Sequence, residues 1–284
     1  KRLVERRLTS SPRAMRRNAD DAFTFINVND SQGMVESDYD VYKNTLAQLT
    51  PPSPGRRSLC TGATSWTTAP TRTTGPGRST TMRTWPRAWP WRRPPATMRR
   101  EAMSRASRTR TPSSRTSTLR TCPEGQDLST GVYYSYVYKN ATFVVLNTND
   151  LAADESLSQA QYDWAYDVLA NAGTQWKIVL MHKSPYSNGP HQADSDVTAI
   201  RSQINTLAAA CDVDLVLSGH DHVYNRTPFL SRGAEQDVTL ETQTYEGANY
   251  ETALNPNGTA FVIAGTAGVK NYVQTPSADI PSEV

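Results

Sequence analysis

Residues 51–122 contain almost none of the side chains from which a protein core is built. The segment has no Ile, Val, Phe or Tyr, and its only leucines are Leu59 and Leu119. Its charge is one-sided as well, because fifteen Arg stand against a single acidic residue, Glu101. A chain folds only where buried apolar surface offsets the conformational entropy lost on ordering. The folded domain must therefore come mainly from the flanking sequence, and we expect 51–122 to be disordered or loosely packed.

Outside this segment the chain divides into a short basic start and an acidic body. Residues 1–22 carry seven basic and three acidic side chains, whereas the rest of the chain outside 51–122 carries eight basic and 23 acidic ones. We interpret 1–22 as a basic N-terminal remnant, 23–272 as one domain that contains 51–122, and 273–284 as a tail or a truncation point. Since no signal-peptide pattern is present, a leader is expected to be absent or already removed.

Cysteine count and hydropathy exclude two classes of protein. The three cysteines are too few for a disulfide framework and are not spaced as a Cys-based metal site. No apolar run reaches the roughly 18 residues that a membrane-spanning helix needs. We therefore expect no membrane span.

Apolar runs of strand length alternate with helical patterns in the acidic body. Buried strands are predicted at 21–30, at 176–182, at 213–218 and at 259–264, and a hairpin within 130–150 has its turn at Lys139 and Asn140. Helices are predicted within 37–49, after a capping box formed by Ser158 and Gln161, and near 195–210. This alternation, together with the hairpin, predicts the α/β class with a mixed sheet.

Three of the four histidines come directly after predicted buried strands. They are His182, His220 and His222, and Asp30 holds the same kind of position after the first strand. Ligands of open α/β folds gather outside the carboxyl ends of strands, and imidazole with carboxylate suits Zn, Fe, Mn and similar ions. These four side chains therefore predict a metal site. The fourth histidine, His191, is as consistent with a structural role as with a functional one.

The strand ends resemble the motifs of a known enzyme superfamily. The sequences NDSQ (29–32), VLMHKSPYS (179–187), GHDHVYNRT (219–227) and GTAFVIAGTAGVKNY (258–272) are similar to the calcineurin-like metallophosphoesterases, especially their purple-acid-phosphatase-like extracytoplasmic branch. The likeness covers about 23–50 and 123–272. It implies a four-layer α/β/β/α sandwich with mixed sheets. It also implies two divalent or trivalent metal ions of the Fe, Zn, Mn or Mg type.

The same resemblance assigns roles to individual residues. It implies that Asp30 and His222 hold one metal ion, that His182 and His220 hold the other, and that Asp30, His220 and His222 belong to the catalytic centre. It implies hydrolysis of phosphate monoesters, and of diesters as an extension, through a metal-bridging hydroxide. Gln32 stands where many relatives have a ligating His, which suggests a supporting position beside the metals. Tyr186, Asn188 and His191, in the loop after His182, are predicted to touch the phosphorylated small-molecule or nucleotide substrate.

Two of the five ligand blocks of the superfamily are missing from the printed sequence. They should lie within 51–122, and a shifted reading frame of a GC-rich gene accounts for both. When the third base of each codon is joined to the first two of the next, Trp66-Thr67 must read Asp. In the same frame, neighbouring codons permit Gly-Asp-Leu-Val-Asp, and those at 95–99 permit Gly-Asn-His-Glu. We predict that 51–122 is translated out of frame, which would leave the printed chain a weak binder of two metals and nearly inactive.

Two other interpretations of the chain stay open. The Arg-rich segment, with Trp66, Trp85, Trp89 and Trp91, could be a nucleic-acid-binding arm, since basic charge supplies affinity and rings stack on bases. The complete absence of Lys in it argues against such an arm, so we do not expect nucleic acid as a partner. The second alternative is a noncatalytic binding protein on a degenerate phosphoesterase fold. The N-x-T sequences at Asn140, Asn225 and Asn257 weakly favour an extracytoplasmic or secreted location.

Overall fold

The computed structural model describes residues 23–48, 58–61, 120–126, 132–245, 247–277 and 280–281. The helices in these ranges are α1 (Asp38–Gln48), α2 (Gln159–Ala170) and α3 (Ser195–Cys211). The first seven strands are β1 (Thr24–Asn27), β2 (Ser58–Thr61), β3 (Arg120–Thr121), β4 (Tyr134–Tyr138), β5 (Ala141–Val145), β6 (Trp176–Leu180) and β7 (Leu215–Ser218). The others are β8 (Tyr224–Arg226), β9 (Leu230–Ser231), β10 (Ala234–Glu235), β11 (Leu240–Tyr245), β12 (Ala248–Ala253) and β13 (Ala260–Ala264).

A seven-stranded mixed sheet is the centre of the fold. Its strands lie in the order β3-β4-β5-β6-β7-β13-β8. Strands β5, β6, β7 and β13 are parallel, whereas β3, β4 and β8 run antiparallel to their neighbours. The predicted α/β class with a mixed sheet is confirmed. Because the parallel strands all point the same way, the residues that follow β6, β7 and β13 meet at one edge.

The two faces of this sheet bury different sets of side chains. Val144, Val179 and Val216 face one side, where they pack with buried residues of α2 and α3. The alternate residues face the other side and pack with Phe25 of β1; they are Phe143, Ile178, Leu180, Leu217 and Val262. This alternation is the two-residue period expected of strands that are buried on both faces. Among the described residues, three of the four predicted layers are present: the helices α2 and α3, the large sheet, and the β1–β2 pair.

Strand β2 is a short strand within the Arg-rich segment. Ser58–Thr61 lies inside 51–122, yet it pairs in parallel with β1 over four residues. The segment therefore contributes at least this short strand, because Leu59 and Cys60 stand in the one place where its composition resembles a strand. The rest of 51–119 and residues 1–22 lie outside the described residues, so the predictions of disorder and of a shifted frame stay predictions.

Helix α2 begins as predicted, but its capping box is incomplete. The Ser158 side chain accepts a hydrogen bond from the Gln161 N–H at 3.4 Å. The Gln161 amide does not return to Ser158; its Oε1 accepts from Asn147 N at 2.7 Å and its Nε2 donates to Asn147 O at 3.0 Å. The buried amide thus joins α2 to the loop after β5.

We expect Gln161→Ala to lower the free energy of unfolding by about 1–3 kcal/mol, because it leaves the buried Asn147 backbone groups without these partners. Urea unfolding followed by circular dichroism measures the change. Gln159→Ala is the matched control, since Gln159 pairs only with the exposed Asp163 side chain through the bond described for it. Equal stability of the two variants would contradict the role assigned to Gln161.

No helix among the described residues is long and apolar enough to cross a membrane. Cys122 and Cys211 are both free thiols.

The N-x-T sequences differ in exposure. The one at Asn225 is fully buried, with its Nδ2 donating to Tyr186 O at 3.3 Å. The Asn225 sequence therefore lends no support to glycosylation of the folded chain, whereas Asn257 is exposed.

Candidate metal centre

Asp30 lies at the middle of the candidate site. It follows β1, its side chain is fully buried, and its Oδ1 accepts no hydrogen bond. His182 Nδ1 and His222 Nε2 each lie 3.7 Å from this oxygen. The other carboxylate oxygen, Oδ2, accepts a hydrogen bond from His220 N at 3.1 Å. The structure therefore brings together all four residues that the strand ends predicted as metal ligands.

The loops that carry these residues are tied to one another by hydrogen bonds to backbone carbonyls. Asn29 Nδ2 donates to Ser218 O at 2.6 Å, and Ala267 N donates to Asn29 O at 2.9 Å. Thr266 Oγ1 donates to Asp30 O at 2.7 Å. These bonds connect the end of β1, which is not in the large sheet, to the ends of β7 and β13, which are. The position of the Asp30 carboxylate is consequently set by two layers of the fold.

Backbone strain is concentrated at the same place. Asp30, His220 and His222 have φ values of 51°, 77° and 49°, in the left-handed region that residues other than glycine rarely adopt. Such conformations persist only where the surrounding structure enforces them, and they cluster at functional sites. The three strained residues are all candidate ligands, which favours a functional rather than a packing role for this edge.

His222 is held in one orientation and one tautomer. Its Nδ1 lies 2.6 Å from Lys270 O, and since a carbonyl only accepts, Nδ1 carries the proton. In the neutral ring Nε2 then has a free lone pair, and it faces Asp30 Oδ1. A metal-binding histidine is commonly oriented by such a bond from its second nitrogen. His222 and Asp30 therefore offer a ready pair of ligand atoms.

The donor set fits a metal ion by chemistry and by spacing. Two ligands that bind one ion at about 2.0–2.2 Å stand roughly 3–4 Å apart, which matches the Asp30 distances to His182 and His222. His220 Nδ1 lies 3.3 Å from His182 Nε2, so the rings of His182 and His220 also present nitrogens to a common point. A buried carboxylate oxygen without a donor is costly, and a cation would remove that cost.

Burial shifts the pKa values of the site toward neutral side chains. It raises the pKa of Asp30 to about 7; the His220 N–H and Lys270 oppose this shift and Asp221 adds to it. It lowers the pKa of His220 to about 4, with the neighbouring His191 and Lys183 acting in the same direction. Burial also lowers the pKa of His222, against the hydrogen bond to Lys270 O.

The sign of the resulting pH dependence differs between the two kinds of group. Because the folded-state pKa of Asp30 is raised from 3.8, its contribution to stability is present below that value and is lost as pH rises through about 7. The lowered pKa of His220 acts oppositely, since its contribution is lost as pH falls from 6.5 toward 4. The pH ranges of the two contributions overlap, so the free energy of unfolding of the wild type, measured against pH, does not separate them.

The Asp30→Asn variant separates the two contributions, because it removes the titration of Asp30 and keeps that of His220. In metal-free protein we expect the free energy of unfolding of Asp30→Asn, relative to wild type, to increase as pH rises from about 4 to about 7. Urea midpoints in the presence of a chelator measure it across this range. Asp237→Asn, an exposed carboxylate, is the control and should show no such trend. A pH-independent difference for Asp30→Asn would contradict the raised pKa.

The loop after β6 gives different results for the three residues predicted to touch substrate. His191 does reach the centre, since its ring centroid lies 4.5 Å from that of His220. Asn188 is buried, and its carbonyl accepts a hydrogen bond from Thr275 N at 2.5 Å. Tyr186 is buried in the core: its ring packs edge-on against Phe261, and its hydroxyl pairs with Asn205 of α3. This position favours a packing role, and its contact with substrate stays a prediction.

Four neighbours of the site were not predicted. Asp221 is buried between the two histidines of GHDH, and its Oδ1 accepts from His191 N at 3.0 Å. Asp194 Oδ2 lies 2.9 Å from His191 Nδ1. Tyr272 places its ring 5.1 Å from that of His222, with Lys270 above it. Asp221 lies inside GHDH, and Lys270 and Tyr272 lie inside the quoted motif 258–272, so only Asp194 carried no sequence signal. Gln32 lies two residues after Asp30, and no bond of its side chain to the site is seen.

Comparison with known proteins agrees with a metal-dependent phosphoesterase site, which the His and Asp side chains at the strand ends indicate. The family description "calcineurin-like phosphoesterase" matches residues 116–224, a range that includes His182, His220 and His222. This range is therefore similar to the calcineurin-like phosphoesterases, as the motifs at the strand ends predicted. The matched range contains strands β3 to β8 and two of the three helices.

Individual relatives are plant purple acid phosphatases. Purple acid phosphatase 18 of Arabidopsis thaliana is 30% identical over 109 residues, which is 37% of this chain and 24% of the relative. Purple acid phosphatase 23 of the same plant is 24% identical over 158 residues, 55% of this chain and 30% of the relative. The solved structure of purple acid phosphatase PPD1 from yellow lupin (Lupinus luteus) seeds aligns with 94% of this chain and 40% of its own, with a TM-score of 0.47 and 15% identity. The chain thus spans about a quarter to a third of the length of these curated relatives.

Proposed function

We propose that this domain hydrolyses phosphate monoesters, and diesters as an extension, at a centre of two divalent or trivalent metal ions. The observation that carries the proposal is the buried, bond-free Asp30 Oδ1, which faces His182 and His222 at 3.7 Å. The similarity of residues 116–224 to the calcineurin-like phosphoesterases supports the same reaction class. Fe, Zn, Mn and Mg are the candidate ions, since carboxylate and imidazole ligands accept all four in proteins.

Each residue of the centre has a distinct part in this proposal. Asp30 and His222 would hold one ion, with the His222 ring oriented by Lys270 O. His182 and His220 would hold the other. The ions would lower the pKa of water and stabilise charge on the phosphate. His191, beside His220 and partly exposed, would contact the phosphate group of the substrate.

The printed chain is expected to perform this reaction poorly. The carboxylate and amide ligands of the two missing blocks would have to come from 51–122, where the printed sequence holds neither block. Without them the four described ligands are too few for two ions, since structural and catalytic sites use three or four protein ligands per ion. The out-of-frame translation of 51–122 remains the explanation that we propose for this loss.

A noncatalytic binding protein is the second candidate, and the same missing blocks favour it. If 51–122 is translated as printed, the centre keeps a partial ligand set without a bridging carboxylate. Such a chain could bind a metal ion or a phosphorylated molecule without hydrolysing it. Because 51–122 is mostly outside the described residues, the nucleic-acid-binding arm likewise stays a hypothesis.

The test compares two versions of the protein made from one gene. We would sequence the gene across codons 45 to 125, express the chain as printed, and express the version with 51–122 in the shifted frame. Hydrolysis of p-nitrophenyl phosphate is measured with Fe, Zn, Mn or Mg added. Asp30→Asn and His182→Ala in the active version are the site variants, and Asp237→Asn is the control.

We expect the shifted-frame version to be active and the printed one to be nearly inactive. Asp30→Asn should lower activity by at least about 10–100-fold, the effect of disturbing the surroundings of a metal ligand, and Asp237→Asn should not. Full activity of the printed chain, or two tight metal sites on it, would overturn the expected impairment. An inactive shifted-frame version that still binds metal would favour the binding protein.

The proposed location is extracytoplasmic. It is supported only by the resemblance to the purple-acid-phosphatase-like branch and by the exposed N-x-T sequence at Asn257. Expression in a secreting eukaryotic cell tests it, since Asn257→Gln should remove a glycan and Asn225→Gln should not.

A further inference from the structure

A second group of possible ligands lies beside the proposed centre and shares one residue with it. His191, Asp194 and His220 each offer a ligand atom, and these atoms all lie within 4.8 Å of one another. Among the described residues no other group of three or more His, Cys, Asp and Glu side chains converges this closely. Asp30, His182 and His222 are not in the group.

The Asp194 carboxylate does not cap the helix that it precedes. Asp194 is the N-cap residue of α3, with φ −60° and ψ 142°, a position where Asp normally accepts hydrogen bonds from the first turn of the helix. Its side chain makes no such bond. Instead Oδ2 faces His191 Nδ1 at 2.9 Å. The carboxylate is therefore available to a ligand at the histidines.

The loop that carries His191 is anchored independently of that carboxylate. The His191 N–H donates to Asp221 Oδ1 at 3.0 Å, and Asp194 N donates to His191 O at 3.1 Å. The loop between β6 and α3 is thus held against GHDH by its backbone. His191 is placed beside His220 by these backbone bonds, so an ion that replaced the His191–Asp194 side-chain pair would not release the loop.

We infer that the chain as printed binds one Zn²⁺-class ion through His191, Asp194 and His220, beside the proposed dinuclear centre, with which it shares His220. Two imidazoles and one carboxylate with a fourth position open is a ligand set that zinc adopts in catalytic sites. Ligand atoms around a zinc ion stand roughly 3–3.5 Å apart, so the group needs only a small contraction. The side chain of Asp194 is 49% exposed and that of His191 33%, which gives an ion access from solvent.

This site competes with the centre proposed above. His220 belongs to both ligand sets, and its Nδ1 also faces His182 Nε2 at 3.3 Å. In a chain that lacks two ligand blocks, His191 and Asp194 replace missing ligands for an ion at His220. The inference does not depend on phosphoester hydrolysis, because it concerns only where a single ion binds.

The test is a zinc titration of the metal-free, full-length chain as printed, against a competing chromogenic chelator at neutral pH. The variants are His191→Ala, His191→Gln, Asp194→Ser and Asp30→Asn. Asp194→Ser keeps a side chain that can cap α3, so the helix is not compromised. Asp237→Asn is the matched control for loss of one surface carboxylate. Circular dichroism establishes that each variant is folded.

We expect one equivalent of zinc to bind wild type and a loss of affinity of at least about 10–100-fold in the His191 and Asp194 variants. Asp237→Asn should bind as wild type does, and Asp30→Asn, which alters only a support of the His220 backbone, should lose less affinity than the His191 and Asp194 variants. Wild-type affinity in Asp194→Ser, or no stoichiometric zinc binding by wild type, would overturn the inference. So would a loss confined to Asp30→Asn, which would instead place the ion at the dinuclear centre and leave the proposed function standing.

Discussion

Gly219→Ala is expected to disrupt the candidate metal centre. A Cβ at residue 219 would lie 2.4 Å from Asp30 Oδ2, closer than side-chain atoms approach one another. The Asp30 side chain is fully buried and cannot swing into solvent, and Gly219 N also donates to His182 O at 3.0 Å. The added methyl group must therefore displace a ligand or the backbone that positions one.

We expect this change to lower metal affinity by about 10–100-fold, as disturbing the support of a ligand does. Overpacking should also lower the free energy of unfolding by about 1–3 kcal/mol. Calorimetric metal titration and urea unfolding measure the two effects.

Gly173→Ala is the matched control. A Cβ at residue 173 would have nothing within 4 Å, so metal affinity should not change and stability should change by less than about 0.5 kcal/mol. If Gly219→Ala behaved like this control, the assigned contact between GHDH and Asp30 would be wrong.

Phe143→Ala is expected to lower the free energy of unfolding by about 3–5 kcal/mol, the range for truncating a buried aromatic residue. Phe143 of β5 is fully buried. Its ring stacks on Tyr136 at 4.8 Å between centroids and meets Phe25 edge-on at 5.8 Å. The cavity would therefore open between the large sheet and β1. Because whole domains are stable by only about 5–15 kcal/mol, this single change removes a large share.

Thermal and urea unfolding of Phe143→Ala test this expectation. Val137→Ala, on the neighbouring strand β4, is the control, because Val137 is 49% exposed and its loss should cost less than about 0.5 kcal/mol. A loss below about 1 kcal/mol for Phe143→Ala would mean that β1 does not pack on this face. Since β1 leads to Asp30, metal affinity should fall together with stability.

The convergence of Asp30, His182, His220 and His222 could be predicted because it follows from two regularities. Apolar runs mark strands that are buried on both faces, and the carboxyl ends of parallel strands meet at one edge. His182 and His220 follow such runs in the large sheet and therefore lie at that edge, whereas Asp30 follows β1 of a separate pair and reaches the edge through bonds to the ends of β7 and β13. The ligand roles of these residues are still a prediction, whereas their proximity is a property of the structure.

The orientation of side chains in loops could not be predicted in the same way. Tyr186 lies four residues after His182, and its pattern was as consistent with a surface position as with the core where it packs. Its burial depends on Asn205 and Phe261, which come from α3 and β13. Gln161 is a similar case, since its partner Asn147 lies in another loop and no local pattern signals that pairing.

The strand ends in the amino-acid sequence determined the α/β class and the residues that approach one another, because side-chain period and strand polarity are local properties. The same sequence showed that 51–122 lacks the composition of a core. Only the tertiary structure decided that Asp30 Oδ1 is left without a donor, that the Asp194 carboxylate turns from α3 toward His191, and that β2 pairs with β1. The physical reason is that hydrogen-bond satisfaction and ligand geometry depend on atoms from separate elements, whose relative positions packing alone establishes.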